Sequence, residues 1–267
     1  MKPRANVADL YPHNRKASLE AKLFRNPPAA YRGAPFWSWN NRLDVDQLLR
    51  QLDQLKQMGF GGANIHSRTG LDTEYLGAEF MAAVKACTDR ARKTKQLIWL
   101  YDEDRWPSGF AGGLVTKDEQ HRMKHLLWTN KPYGQGAIGT QLSTGTVSCR
   151  RRENGTLIGR YEVTLKHGRL ARYRKLRDGR HAARGSETWY AYIETADADP
   201  WFNHQCYVDT LSQRAIERFI ETTHERYKAI VGRDFGGAIP AIFTDEPQFP
   251  KKQAFDRVDR RRDLCMP

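Results

Sequence analysis

Between residues 34 and 116, short apolar runs alternate with segments in which apolar residues recur every three or four positions. The runs at 34–39, 62–66 and 97–101 predict strands, and helices are predicted from Asp44 to Gly59 and over 79–95. Asp44 stands in capping-box spacing to Gln47, and Gly59 follows where a C′ glycine ends a helix. Strands and helices that alternate in this way are typical of βα units around a parallel sheet. The predicted inward residues are Val45, Leu48, Leu49, Leu52, Leu55 and Met58 in the first helix and Phe80, Val84, Cys87 and Ala91 in the second.

Residues 126–196 carry a different pattern. Short β-prone segments at 146–149, 156–165 and 187–194 are separated by Asn-Gly, His-Gly and Asp-Gly dipeptides, which are hairpin signals. This stretch is therefore predicted to be an antiparallel insertion. The βα spacing then resumes, with a strand at 207–211, a helix capped by Ser212 with Tyr227 on its apolar face, and a strand at 239–243.

Five parallel strands are too few to close an eight-stranded barrel. An open doubly wound sheet would carry a glycine-rich turn after its first strand, whereas the glycines at 59–62 precede a strand and no Walker motif is present. We therefore predict an α/β fold, an incomplete (β/α)8 TIM-type barrel with an antiparallel β insertion. The predicted parts are a lead-in at 1–33, the first part of the barrel at 34–125, the insertion at 126–197, the continued barrel at 198–247, and a basic, poorly ordered tail at 248–267.

Composition limits the class of protein. The chain has 267 residues, of which 39% are hydrophobic and 11% aromatic, so it can bury a core and is not a disordered chain. No apolar run approaches the roughly 20 residues of a membrane helix, and no apolar core follows the basic N-terminus, so neither a membrane span nor a secretory signal is expected. The four cysteines lie far apart, which excludes a zinc ribbon and a dense disulfide framework and predicts a reduced, cytoplasmic protein.

Positive charge is concentrated in the predicted insertion. Residues 150–184 contain twelve Lys or Arg and three acids, which accounts for nine of the thirteen net positive charges. Such a surface can attract a polyanion. It is equally typical of a solvated surface, and no nucleic-acid-binding motif accompanies it. We therefore expect no nucleic-acid partner beyond weak, sequence-independent binding.

Each of the five predicted parallel strands ends in polar or aromatic residues, and functional residues of parallel α/β proteins gather at these carboxyl ends. Aromatic faces beside carboxylates are typical of carbohydrate sites, since sugars offer C–H faces for stacking and hydroxyls for hydrogen bonds. The strand ends carry, in chain order, Trp37, Trp39 and Asn40; His66 and Arg68; Tyr101, Asp102, Glu103, Asp104 and Trp106; Asp209; and Asp245 and Glu246.

Plainer interpretations exist for several of these residues. The acids at 102–104 could form a solvated loop or cap a helix, Glu246 could stand in an exposed turn, and His66 could be a hydrogen-bonded histidine at a strand end. Glycosidic bond cleavage needs two carboxyl groups, one to protonate the leaving oxygen and one to activate water or attack directly. Glu103 and Glu246 are the predicted pair, and which of them is the acid depends on their surroundings.

Five segments carry a resemblance to a known family. They are 35–40, 61–71, 99–113, 207–211 and 242–247. They resemble the α-L-rhamnosidase-like glycoside hydrolases related to glycoside hydrolase family 106, and the Tyr-Asp-Glu-Asp-x-Trp-Pro-Ser-Gly block that starts at Tyr101 is the most specific match. The resemblance implies a (β/α)8 catalytic barrel with acid/base carboxylates, in enzymes several times longer than this chain. The family's last three βα units and accessory β domains are missing here, so the chain is similar to a truncated member.

The resemblance further implies inverting hydrolysis of a terminal, rhamnose-like glycosidic bond in a carbohydrate substrate. It often brings a calcium ion, for which the acids at 102–104 are oxygen donors, although alone they cannot complete the roughly six to eight ligands of such an ion. The alternative is a non-catalytic carbohydrate- or polyanion-binding remnant. In the hydrolase, Trp37, Trp39 and Trp106 would stack on the sugar, Asn40, His66, Arg68 and Asp209 would bind its hydroxyls, and Tyr101, Asp102, Asp104 and Asp245 would be further substrate-binding residues.

An incomplete barrel leaves an open sheet edge and an uncovered apolar face. We therefore expect the isolated chain to self-associate or to require a complementing fragment.

Overall fold

A computed structural model describes residues 20–142, 149–249 and 263–266 of the chain. These residues form two compact units, each assembled from two separate stretches of sequence. Unit 1 comprises the described residues up to Gly112 together with Phe219–Asp245. Unit 2 comprises Gly113–Arg218 and the described residues from Glu246 onward.

Helices and strands are numbered in chain order. Among the described residues the helices are α1 (Ala21–Arg25), α2 (Val45–Gln57), α3 (Ala78–Thr94), α4 (Gln213–Thr222) and α5 (His224–Val231). The strands are β1 (Phe36–Trp39), β2 (Gly62–Ser67), β3 (Leu97–Tyr101), β4 (Lys124–Thr129), β5 (Thr156–Lys166), β6 (Arg169–Lys175), β7 (Glu187–Thr195), β8 (Ile242–Phe243) and β9 (Leu264–Met266).

Unit 1 is built on a parallel four-stranded sheet in the order β1-β2-β3-β8. Helices α2 and α3 contact β2 and β3 and cover one face of this sheet, where Ile65, Ile98 and Leu100 are buried. The register places Ser38 beside His66 and Tyr101 beside Phe243. The predicted first three strands and first two helices are therefore confirmed, and the chain is a mixed α/β protein.

Helix α2 shows why the local prediction succeeds. The Asp44 carboxylate accepts a hydrogen bond from the Gln47 N–H at 2.7 Å, which satisfies one of the donors that the first turn of a helix leaves open. Gly59 has a φ of 91°, a conformation that glycine adopts without strain at the end of a helix. Leu48 and Leu52 are buried as predicted. Met58 is 71% exposed, so its predicted inward position is wrong, because the helix has ended at Gln57.

The βα pattern predicted after the insertion is partly wrong. The strand predicted at 207–211 does not form, and Val208 makes only an isolated antiparallel bridge to Arg122 in unit 2. Its continuation is blocked because the Asp209 carboxylate accepts the N–H of Leu211, which bends the chain into a turn before α4. Among the described residues the parallel sheet therefore has four strands rather than five.

The helix predicted after Ser212 is divided in two. Thr223 separates α4 from α5, and its hydroxyl donates to the carbonyl of Phe219 one turn earlier, a contact that bends helices. Tyr227 lies on the second helix, where it is buried. The strand predicted at 239–243 forms only as the two-residue β8.

Unit 2 is built on an antiparallel five-stranded sheet in the order β6-β5-β7-β4-β9, which confirms the antiparallel character predicted for residues 126–196. The His-Gly signal forms the β5–β6 hairpin, in which His167 and Gly168 both have positive φ, as a two-residue type I′ turn requires. Of the β-prone segment predicted at 146–149, residues 146–148 lie outside the described residues.

Residues 263–266 belong to the same sheet, because β9 pairs antiparallel with β4. Cys265 forms a disulfide with Cys149, 116 positions earlier. The carboxylate of Asp263 accepts a hydrogen bond at 3.0 Å from the fully buried guanidinium of Arg151, which also pairs with Glu153. Residues 263–266 of the predicted tail are thus part of the antiparallel sheet, whereas 250–262 and 267 lie outside the described residues, and the poor order of the tail stays a prediction.

In the part of the chain that the structure describes, no helix combines the length and apolar character that crossing a membrane requires. Cys87 and Cys206 are buried and unbonded. The compartment stays a prediction.

Candidate functional site

The carboxyl ends of β1, β2 and β8 in unit 1 surround an open pocket of about 400 Å³. It is lined by Phe36, Ser38, His66, Arg68, Phe243 and Asp245. These residues come together because side chains of a strand alternate between faces and the parallel register aligns β1 with β2. The pocket opens on the sheet face that α2 and α3 do not cover.

His66 is the most enclosed polar group of this pocket, at 4% exposure. Its ring stacks on Tyr101 at 3.8 Å and meets the edge of Phe36 at 5.0 Å between centroids. Nδ1 lies 3.0 Å from the carbonyl oxygen of Ser67. Because a carbonyl can only accept, Nδ1 carries the hydrogen and Nε2 of the neutral ring is an acceptor. Burial, with the nearby charge of Arg68, lowers the pKa of His66 and so favours this neutral form, although the Ser67 hydrogen bond and Asp245 act in the opposite direction.

Asp245 and Arg68 are the charged residues that line the pocket. The backbone N–H of Asp245 donates to the Ser108 hydroxyl at 2.9 Å. Ser108 in turn donates to one oxygen of Asp102 at 2.7 Å, and Thr244 donates to the other at 2.6 Å. Asp102 is fully buried, and it therefore ties the residues after β8 to the loop after β3. Burial raises the pKa of Asp102, although the two hydroxyl groups and His224 act in the opposite direction.

Glu103 is fully buried and lies at the centre of the loop that follows β3. One carboxylate oxygen accepts the N–H groups of Asp104 and Gly112, and the other accepts those of Gly109, Phe110 and Ala111, at 2.5–2.9 Å. Burial raises the pKa of Glu103 to about 8, although the backbone hydrogen bonds act in the opposite direction. Because its two oxygens accept five backbone hydrogen bonds, the carboxylate of Glu103 stabilises the loop that follows β3.

Trp37 and Trp39 lie on the helix-covered face of the sheet, opposite Phe36 and Ser38. The indole N–H of Trp37 donates to the side-chain oxygen of Gln51 on α2 at 2.9 Å. Trp39 is 1% exposed and packs against Phe80 of α3, so it contributes to the core. Asn40 lines a separate, smaller pocket between the end of β1 and the start of α2.

The other predicted site residues have these surroundings. Asp104 is half-buried and forms an ion pair with Arg105 at 3.2 Å, and Trp106 is half-buried in the same loop. Asp209 is in unit 2, where Lys124 donates to it at 3.3 Å. Glu246 is exposed and also belongs to unit 2. The structure thus brings His66, Arg68, Tyr101 and Asp245 together in unit 1, and the pairing of Glu103 with Glu246 stays a prediction.

The acids at 102–104 do not fit a calcium site in this arrangement. The oxygens of Asp102 accept hydroxyl hydrogens, those of Glu103 accept backbone hydrogens, and Asp104 is paired with Arg105. Within residues 20–142, 149–249 and 263–266, no group of three His, Cys, Asp or Glu side chains is placed to hold a metal ion.

Sequence reasoning missed Phe36, Ser38 and Phe243 as pocket residues. The signal that could have found them is the alternation along β1, because His66 shares its face with residues 36 and 38 and not with the two tryptophans. The aromatic residues at 36, 37 and 39 made both faces of this strand look suitable for a sugar.

No protein-family model matches the chain, and no curated protein matches it. Among solved structures, a rhamnosidase from Novosphingobium sp. PP1Y is similar over 55% of this chain and 16% of that chain, with 19% identity and a TM-score of 0.37. The chain thus spans about a sixth of the length of that structure. This is a distant likeness to a glycoside hydrolase, and it does not show membership of glycoside hydrolase family 106.

Proposed function

We propose that this chain is a glycoside hydrolase-like catalytic-domain fragment whose pocket binds a terminal, α-L-rhamnoside-like sugar. The pocket of unit 1 is the observation that carries the proposal. Phe36 and Phe243 offer ring surfaces to C–H groups, while His66, Arg68 and Asp245 offer an acceptor, a donor and a carboxylate to hydroxyls. The rhamnoside-like substrate is supported by the resemblance of the five sequence segments.

The strand order supports an incomplete (β/α)8 barrel as the fold of unit 1. In a doubly wound sheet the strand order reverses at a switch point, and helices cover both faces. Here β1, β2, β3 and β8 follow one another across the sheet in chain order without a reversal. The face opposite α2 and α3, which carries the pocket, would then correspond to the interior of a closed barrel.

Hydrolysis in this proposal follows the paired-carboxylate scheme, in which one carboxyl group protonates the leaving oxygen and the other activates a water molecule. Asp245 is the carboxylate of the pocket and is our first choice for one of these roles. Glu103 acts on the pocket through the loop that carries Ser108, which in turn accepts the N–H of Asp245.

The test uses the full chain with a panel of nitrophenyl glycosides that includes the α-L-rhamnoside. We expect nitrophenol release from this substrate and a decrease in kcat/KM of about 100-fold or more for Asp245→Asn, the size typical of a lost acid or base. Asp72→Asn, a change of an exposed carboxylate in the same unit, is the matched control and should retain activity. Equal activity of Asp245→Asn and the parent would remove Asp245 from the mechanism.

The alternative, a non-catalytic carbohydrate-binding remnant, is favoured by the full engagement of Glu103 with backbone donors. It predicts that rhamnose shifts NMR signals of residues around His66 while no glycoside of the panel is cleaved. Cleavage abolished by Asp245→Asn supports the hydrolase, binding without cleavage supports the remnant, and neither binding nor cleavage contradicts both.

A further inference from the structure

The strongly basic surface of unit 2 has a geometry of its own. Two open grooves, of about 650 and 520 Å³, lie beside the exposed edge strand β6. The larger is lined by Leu157, Ile158, Gly159, Arg160, Lys175, Leu176, Arg177 and Asp178. The smaller is lined by Arg174, Lys175, Leu176, Arg177, Arg180 and His181. They share residues 175–177, and we call the two grooves together the basic channel.

The charge of this channel is largely uncompensated. Arg174 is paired with Glu162 at 2.9 Å, and Arg160 lies 3.8 Å from the fully exposed Asp178. The side chains of Lys175, Arg177 and Arg180 are exposed and form no ion pair with any residue in the described ranges. Three free cations along one channel favour a ligand that carries repeated negative groups.

The lining of the channel argues against single-stranded nucleic acid as its ligand. Proteins that bind single-stranded nucleic acid combine a basic groove with aromatic rings on which the bases stack. None of the residues that line either groove is aromatic apart from the imidazole of His181, and Tyr173, although 66% exposed, is not part of either lining. Leu157, Ile158 and Leu176 instead give the channel aliphatic walls.

We propose that this channel binds an anionic polysaccharide through its carboxylate or sulfate groups. The guanidinium groups of Arg177 and Arg180 match such planar or tetrahedral anions with paired N–H donors. A basic edge strand also prevents sheet-to-sheet aggregation, and this simpler role predicts no ligand at all.

The experiment measures retention of the full chain on polygalacturonate, which carries carboxylates, and on heparin, which carries sulfates. Neutral dextran and a dT20 oligonucleotide are the comparison ligands. We expect binding to at least one of the two anionic polysaccharides that weakens with salt and is at least tenfold tighter than binding to dT20. The variant Lys175→Glu/Arg177→Glu/Arg180→Glu should lose at least tenfold in affinity.

The matched control is Arg50→Glu/Lys93→Glu/Lys117→Glu, three reversals of exposed cations outside the grooves with the same change in net charge. It should retain affinity within about threefold. A milder set, Lys175→Gln/Arg177→Gln/Arg180→Gln, replaces the first variant if charge reversal prevents folding. Absence of retention on both anionic polysaccharides, equal loss in the control, or dT20 binding as tight as the polysaccharide overturns the proposal.

Discussion

At the scale of single residues, Glu103 shows how one side chain determines the path of a loop. Five backbone N–H groups between Asp104 and Gly112 point at its carboxylate. Gly112 has a φ of 61°, and a Cβ at this position would come within 3.0 Å of the Asp104 side chain. A buried carboxylate that is the common acceptor of a whole loop loses hydrogen bonds when it is replaced by a group that also donates.

Glu103→Gln tests this role. The amide keeps the shape but turns an N–H₂ group towards backbone donors, so above pH 8, where the carboxyl group is ionised, we expect the free energy of unfolding to decrease by about 3 kcal/mol, the range of hydrogen bonds to a buried charge. Asp104→Asn, which weakens one partly exposed ion pair, should cost about 1 kcal/mol or less. Urea unfolding followed by tryptophan fluorescence measures both, and equal midpoints for Glu103→Gln and the parent would contradict the role.

The sequence identified several residues of the pocket but not which face of β1 they share. His66, Arg68 and Asp245 were found because they follow predicted strands. Phe36 was missed, and Trp37 was placed with the sugar, because the alternation of a strand separates its two faces without saying which one the helices cover. The packing of α2 and α3 determines which face of β1 is covered, and this packing depends on contacts such as the one between Trp39 and Phe80.

At the scale of elements, the helices of unit 1 are specified locally. We expect Asp44→Ala to lower the free energy of unfolding by about 1 kcal/mol, because the N–H of Gln47 then loses its side-chain acceptor. Asp46→Ala removes an acid from the same first turn without removing a cap, and should cost only a few tenths of a kcal/mol. Thermal unfolding by circular dichroism compares the two, and equal effects would exclude the capping bond as the cause.

The β4–β7 pair of unit 2 predicts a dependence of stability on pH. Burial alone would raise the pKa of Glu194, but hydrogen bonds from His125, the N–H groups of Arg152 and Glu153, and the Tyr133 hydroxyl outweigh burial and lower it from 4.5. A carboxyl group with a lowered folded-state pKa stabilises the fold above its unfolded pKa and loses this contribution as the pH falls through the folded value.

We therefore expect the unfolding midpoint of the parent to decrease as the pH is lowered below about 4.5. Glu194→Gln should unfold more easily at pH 7 and show a flatter dependence in this acidic range. Glu187→Gln, at the other end of β7, is the control and should keep the pH dependence of the parent. The same slope for Glu194→Gln and the parent would show that other groups cause the acid sensitivity.

At the scale of the whole molecule, an exposed aromatic ring on the edge strand β1 of the parallel sheet predicts self-association. Phe36 is 61% exposed at its surface, and β1 and β8 each have one partner strand among the described residues. In sedimentation velocity we expect concentration-dependent association of the parent that Phe36→Asn reduces. Met58→Asn, at a residue 71% exposed beyond the end of α2, should leave it unchanged. A monodisperse parent that melts cooperatively as a monomer would refute this prediction.

The pairing of strands that lie far apart in the chain could not be predicted from the sequence. The turn between β5 and β6 was predicted because its signal lies in two adjacent residues, His167 and Gly168, whereas β6 itself was not among the predicted segments. The strand β9 was missed because its partner β4 and its disulfide partner Cys149 lie more than a hundred positions away, and a three-residue strand has no periodicity of its own. The strand predicted at 207–211 does not form because a local feature, the turn at Asp209, prevents the extended conformation that its apolar pattern predicts.

The interleaving of the two units has a consequence for synthesis. Neither unit is a continuous piece of chain, and roughly 140 residues separate the end of β3 from β8, its neighbour in the sheet. At translation rates of about 5–20 residues per second, the interval between the synthesis of β3 and the synthesis of β8 is on the order of ten seconds. During that interval the edge of β3 is open to any extended segment nearby. We therefore expect the yield of native protein in cells to depend on chaperones that bind nascent chains, and to fall when translation is slowed between residues 102 and 241.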